Sequence, residues 1–109
     1  MSSRAKRGDL LAIEVGKMKK GYVYILATPS NKVLYTGVTA DLWDRVTQHK
    51  DKTVEGFTKR YNVTKLVYFE EFTSIMDAIS AEKKIKAGSR AKKIELIKTL
   101  NPAFKDLAQ

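Results

Sequence analysis

Cysteine is absent from all 109 residues, which excludes disulfides and thiolate metal sites and fits a reducing, cytoplasmic setting. No apolar run approaches the ~18 residues that a membrane-crossing helix requires. The basic N-terminus is followed by neither an apolar segment nor a small-residue cleavage site, so no signal peptide is expected. There is no internal repeat and no low-complexity stretch. Acidic residues are in deficit: 12 Asp and Glu stand against 21 Lys and Arg, for a net charge of +9.

What remains is an ordinary globular composition, 43% hydrophobic and 30% charged, at a length suited to one domain with one small core. The surplus of positive charge favours polyanionic partners, nucleic acid before an anionic membrane. No basic amphipathic segment carries the bulky apolar anchors that a membrane surface demands, so no membrane partner is expected. Residues 1–20 hold Arg4, Lys6, Arg7, Lys17, Lys19 and Lys20 against Asp9 and Glu14. They are expected to form a mobile basic tail, with the folded domain covering residues 21–109.

Two runs rich in β-branched and aromatic residues, Tyr22–Ala27 and Val33–Val38, predict strands. The Thr28-Pro29-Ser30-Asn31-Lys32 segment between them is turn chemistry, and its shortness predicts an antiparallel hairpin. A helix is predicted over Asp41–Lys50, capped by Thr39 or Asp41, and residues 51–62 read as a polar, basic loop. Lys65–Phe72 predicts a third strand. Ile75–Ala87, capped by Thr73 or Ser74 and ended by Gly88, predicts a second helix, and Arg90–Leu100 a third. Asn101-Pro102 predicts the start of a last short helix. The order β-β-α-β-α-α is an α+β arrangement: a three-stranded antiparallel sheet flanked by helices.

Spacing groups several polar residues. With about 100° between successive helix residues, Arg45 and His49 fall on the core-side stripe of Leu42 and Val46. Glu82 falls inside the apolar stripe of Ile75, Ala78, Ile79 and Ile85. A carboxylate there is costly unless it is paired or ligates a metal. Tyr24 and Tyr35 fall on one face of the hairpin, and Gly37 leaves room for a backbone or ligand to approach. Each placement also has a structural alternative. Arg45 is spaced for an ion pair with Asp41, His49 for the helix C-terminal dipole, Glu82 for an ion pair with Lys86, and the tyrosines for plain cross-strand packing.

Taken together the pattern resembles the GIY-YIG nuclease domain, in particular its small bacterial stand-alone members of endonuclease type. The first motif corresponds to Tyr22-Val23-Tyr24 and the second to Tyr35-Thr36-Gly37, with Tyr22 in place of the usual glycine and Thr36 in place of isoleucine. The Arg that follows ten positions after the second tyrosine is Arg45, the residue one turn later is His49, and the helical Glu is Glu82. Asn101 stands where the family tends to have an Asn. The resemblance spans residues 21–101 and implies metal-dependent hydrolysis of DNA phosphodiesters.

On that reading Glu82 is the ligand of Mg²⁺ or Mn²⁺, and Arg45 grips the phosphate. Tyr24, Tyr35 or His49 handles the proton, and Asn101 completes the catalytic set. Lys59, Arg60, Lys83, Lys86 and Arg90 are expected to hold a nucleic-acid backbone, DNA in the first instance and RNA as the alternative. A role in DNA repair or recombination follows from the family. The rivals are a non-catalytic nucleic-acid-binding module on the same fold, and an interaction protein whose basic face meets an acidic partner.

Overall fold

A computed structural model describes residues 19–53 and 56–108. Its sheet is built from β1 (Gly21–Ala27), β2 (Leu34–Thr39) and β3 (Lys65–Phe72), all antiparallel, with β1 in the centre. The helices are α1 (Leu42–Lys50), α2 (Phe57–Arg60), α3 (Ile75–Ala87) and α4 (Arg90–Leu100).

Because β1 is central it is apolar on both faces rather than alternating. Val23, Ile25 and Ala27 meet Val67, Tyr68 and Ile97 on one side, where Ala81 and Ile85 of α3 and Leu96 of α4 pack. Tyr24 and Leu26 meet Leu42, Val46, Val63 and Leu66 on the other, under α1. The pairing of β1 with β3 slips between Ile25 and Leu26: Ile25 faces Tyr68 and Leu26 faces Leu66. Val67 is therefore the extra residue of a bulge, which lets Val67 and Tyr68 enter the same core layer. At the head of β1 a Cβ on Gly21 would sit 2.7 Å from the Ile75 Cα, so glycine lets α3 cross the strand at close range.

The hairpin turn follows its chemistry. Asn31 takes φ 64°, and the Thr28 N–H donates to the Val33 carbonyl at 3.1 Å. Asp41 caps α1 through the Asp44 N–H, and Ser74 caps α3 through the Met76 N–H. Gly88 ends α3 with φ −81°, outside the left-handed region. Lys19 and Lys20, assigned above to the tail, are tied to the domain: Lys20 pairs with Glu71 at 3.0 Å, and the Lys19 carbonyl accepts from the Ile75 N–H. The rest of the predicted tail, residues 1–18, lies outside the described residues.

Two expectations need correcting. The loop read over residues 51–62 contains α2, a single helical turn, too short to leave a periodic signal. Among the described residues no helix follows Pro102. The Asn101 side chain donates to the Val67 and Lys105 carbonyls at 3.0 and 2.7 Å and accepts from the Lys105 N–H at 3.0 Å, while Phe104 takes φ 54°. These bonds hold residues 101–105 in a closed turn. The chain then runs back beside β3: Leu107 donates to the Leu66 carbonyl at 2.8 Å and Asp106 pairs with Lys50 of α1. Burial would raise the Asp106 carboxyl, but Lys50 and the Ala108 and Leu66 N–H groups outweigh it and hold the carboxyl below its ordinary range.

Candidate active site

The hairpin register pairs Tyr24 with Gly37 and Leu26 with Tyr35, so the two tyrosines lie diagonally on one face with ring centroids 6.4 Å apart. A Cβ at position 37 would run into the Tyr24 hydroxyl and ring. The room left by Gly37 is thus filled by Tyr24 itself, which is 2% exposed.

Helix α1 lays His49 over this pair, its ring 5.8 Å from that of Tyr24 and 5.7 Å from that of Tyr35. Both imidazole nitrogens are engaged: Nε2 lies 3.1 Å from the Tyr24 hydroxyl and Nδ1 lies 2.9 Å from Thr58 Oγ1 of α2. With the proton on Nδ1, Tyr24 donates to the ring and the ring donates to Thr58; the other tautomer reverses both bonds. Burial, then the charge of Arg45, lower the His49 pKa below its ordinary value, which keeps the ring neutral at pH 7.

That shift has a measurable consequence. The unfolded chain holds its imidazole proton more tightly than the fold does, so the neutral ring contributes stability above the ordinary value of 6.5 and loses it as pH falls through the lowered folded value. His49 is the only histidine, so it is the side chain whose ordinary titration is centred in this window. Urea midpoints are expected to fall between about pH 7 and pH 5, and His49→Gln, which can still bond both neighbours, is expected to flatten that fall. Equal slopes for the two proteins would contradict the placement.

Arg45 is half-buried, and among the described residues it has no ion-pair partner. The spacing that suits a pair with Asp41 is not used, because the Asp41 carboxylate accepts from the Asp44 N–H at 3.1 Å. The guanidinium acts electrostatically on both Tyr24 and His49. For Tyr24, burial raises the phenol pKa, Tyr35 adds to the rise, Arg45 opposes it and Glu82 adds again. The net position is well above the ordinary phenol range.

Helix α3 brings Glu82 to the same cluster. Its side chain is 13% exposed, and the carboxylate accepts from Lys86 at 2.6 Å, the ion pair that its i,i+4 spacing allows. The bond to Glu82 in turn raises the Lys86 pKa, with Tyr35 contributing. The second carboxylate oxygen has no partner among the described residues. No group of three or more His, Asp or Glu gathers as a metal cage among them either. One carboxylate beside phenols suits a hard cation that keeps most of its waters and shares substrate oxygens, the habit of Mg²⁺ and Mn²⁺, and does not suit zinc.

Tyr24, Tyr35, Arg45, His49 and Glu82 therefore converge. Asn101 does not join them: its amide is spent on the backbone of Val67 and Lys105, and Val67 belongs to the opposite core layer. Of the basic residues, Lys83 is exposed, Lys86 is bound to Glu82, and Arg90 donates to the Asn31 carbonyl at 2.7 Å, tying α4 to the hairpin turn. Lys59 and Arg60 lie on α2. Sequence reasoning missed Thr58, the partner of His49, and Phe57, whose ring stacks on Tyr35 at 6.3 Å. A Phe-Thr pair inside an apparent loop gives no pattern.

The family model for the GIY-YIG catalytic domain matches residues 20–95. A UPF0213 protein of Syntrophus aciditrophicus is 42% identical over 82 residues, covering 74% of this chain and 93% of that one. Another, from Pediococcus pentosaceus, is 35% identical over 86 residues, 79% of this chain and 90% of its own. Among solved structures, the solution structure of a UPF0213 protein from Bacillus halodurans aligns with a TM-score of 0.52 at 29% identity, over 80% of this chain and 92% of that one.

Proposed function

The chain belongs to the GIY-YIG catalytic domain family, and on that premise we propose that it is a metal-dependent endonuclease that hydrolyses DNA phosphodiester bonds, in the setting of repair or recombination. The observation that carries the proposal is Arg45: a half-buried cation without a carboxylate partner among the described residues, set beside a buried Tyr–His pair, with Glu82 acting on the same Tyr24 that it acts on. Holding such a cation in place is worthwhile where an anion from outside the chain completes it.

Each side chain takes one task. Arg45 offers two N–H groups to the non-bridging oxygens of the phosphate, a fork that lysine lacks. Tyr24 accepts a proton from the attacking water while passing its own to Nε2 of His49. The high phenol pKa is no obstacle, because the two transfers together never leave a free phenolate. His49 is neutral and already bonded, with Thr58 fixing its ring. Tyr35 closes the apolar wall of the site between Tyr24 and His49. Glu82 would hold the divalent ion through the oxygen that Lys86 leaves open, and a bound ion neutralises charge on the phosphate and the departing oxygen. Asn101 has no part in this scheme.

A supercoiled-plasmid assay with Mg²⁺, Mn²⁺ and chelator tests the reading: nicking is expected with either ion and none in chelator. The Glu82–Lys86 ion pair is what favours the second reading, a nucleic-acid-binding module without chemistry. That module would bind DNA in a salt-sensitive way and leave the plasmid intact under every condition.

A further inference from the structure

The wall of the candidate site does not stop at Tyr35. Phe57 stacks on it with ring centroids 6.3 Å apart and an interplanar angle of 25°, and Tyr61 follows at 4.8 Å from Phe57. The Arg60 guanidinium stands 5.8 Å from the Tyr61 ring centroid. Phe57 and Tyr61 are each 48% exposed. Together with Gly56, Lys59 and Arg60 they line an open groove of about 770 Å³, within the ~300–1,000 Å³ that small-ligand sites occupy. Contiguous exposed aromatics on a soluble domain mark a binding surface. Here the surface combines π faces with cations and runs directly into Tyr35.

We infer that Phe57 and Tyr61 form a stacking platform for an unpaired nucleobase next to the scissile phosphate, and hence that the favoured substrate presents single-stranded or unpaired nucleotides rather than an intact duplex. The inference rests on the nuclease reading only for the word substrate; the platform itself is a binding surface. Stacked bases in a duplex hide their faces, whereas every unpaired base offers one, so such a platform selects by strandedness and not by sequence. The Arg60 guanidinium, which lies over the Tyr61 ring, supplies a cation beside the platform for the phosphate of a stacked nucleotide. The turn that presents the rings is set by Gly56 at φ 109°, a conformation that favours glycine.

The test is binding in chelator, where no cleavage occurs, with the full chain and a short mixed-sequence strand carrying one fluorescent purine analogue, free or annealed to its complement. Tyr61→Leu, which keeps apolar bulk without a π face, is expected to weaken single-strand binding about tenfold and duplex binding by less than about twofold. Tyr61→Trp is expected to restore the affinity and the stacking quench of the analogue. Phe57 is left intact in these variants because it also supports Tyr35. Equal losses on single strand and duplex, or no loss on either, would overturn the platform. A wild-type chain that binds as expected yet nicks nothing would support the platform and remove the nuclease reading. Cleavage by wild type with Tyr61→Leu unchanged on both strands would do the reverse.

Discussion

Glu82→Ala is expected to abolish Mg²⁺-dependent nicking while the protein stays folded. The folding cost is small because the carboxylate's bonded partner is Lys86 on the next turn of the same helix, and such i,i+4 pairs contribute only about 0.3–0.5 kcal/mol. Lys86 is 53% exposed and rehydrates when its partner is gone. The catalytic cost is large, because among the described residues no second carboxylate joins Glu82 in a metal-holding group, and a lone carboxylate has no understudy for a hard cation. Nicking rate and thermal melt, measured on the same preparation, separate the two effects. Cleavage retained in a folded Glu82→Ala protein would remove Glu82 from the metal role.

Arg45→Ala is expected to lower the cleavage rate by about 10²–10³, the loss typical of removing one preorganised donor from a developing oxyanion. DNA affinity should fall only a few-fold, since the chain carries a net charge of +9 and the surface cations remain. Arg45→Lys keeps the charge without the fork and should recover only part of the rate. A second readout guards against a merely structural effect. Arg45 helps to hold the His49 pKa down and opposes the rise at Tyr24. Its removal should therefore move the acid limb of the pH–rate profile upward. Equal losses in rate and affinity, with an unmoved profile, would make Arg45 a docking contact.

Much of the fold was legible because its signals are local and strong. The strands of the hairpin follow from β-branched and aromatic runs around a Pro-Ser-Asn turn, and Asn31 adopts the left-handed conformation that its side chain tolerates. The helices follow from capping residues and apolar periodicity, with Asp41 and Ser74 as observed caps. The grouping of Tyr24 with Tyr35 and of Arg45 with His49 follows from the two periods, one of two residues and one of 3.6.

What was not legible depends on contacts between distant segments. Thr58 meets His49 because a single helical turn folds back under α1, and one turn has no periodicity to read. Asn101 reads as a cap residue ahead of a helix. Its amide instead bridges β3 to Lys105, and Asp106 draws the chain toward Lys50. Gly37 reads as space for a ligand, yet that space belongs to Tyr24, a fact set by strand register rather than by composition. The exposed rings of Phe57 and Tyr61 were invisible for the same reason: exposure is a property of the packed fold.

The claim at the centre of this account is that Arg45 and Glu82 serve a single phosphodiester from two helices. The most direct measurement is a crystal structure of the full chain with Mn²⁺ and an oligonucleotide whose scissile phosphate is replaced by a non-hydrolysable analogue. The account predicts an anomalous Mn²⁺ peak on the Glu82 carboxylate, with Lys86 displaced from it or sharing it, and the analogue's phosphate oxygens bonded to both the ion and Arg45. Mn²⁺ bound elsewhere, with the Glu82–Lys86 pair intact and no phosphate on Arg45, would contradict it.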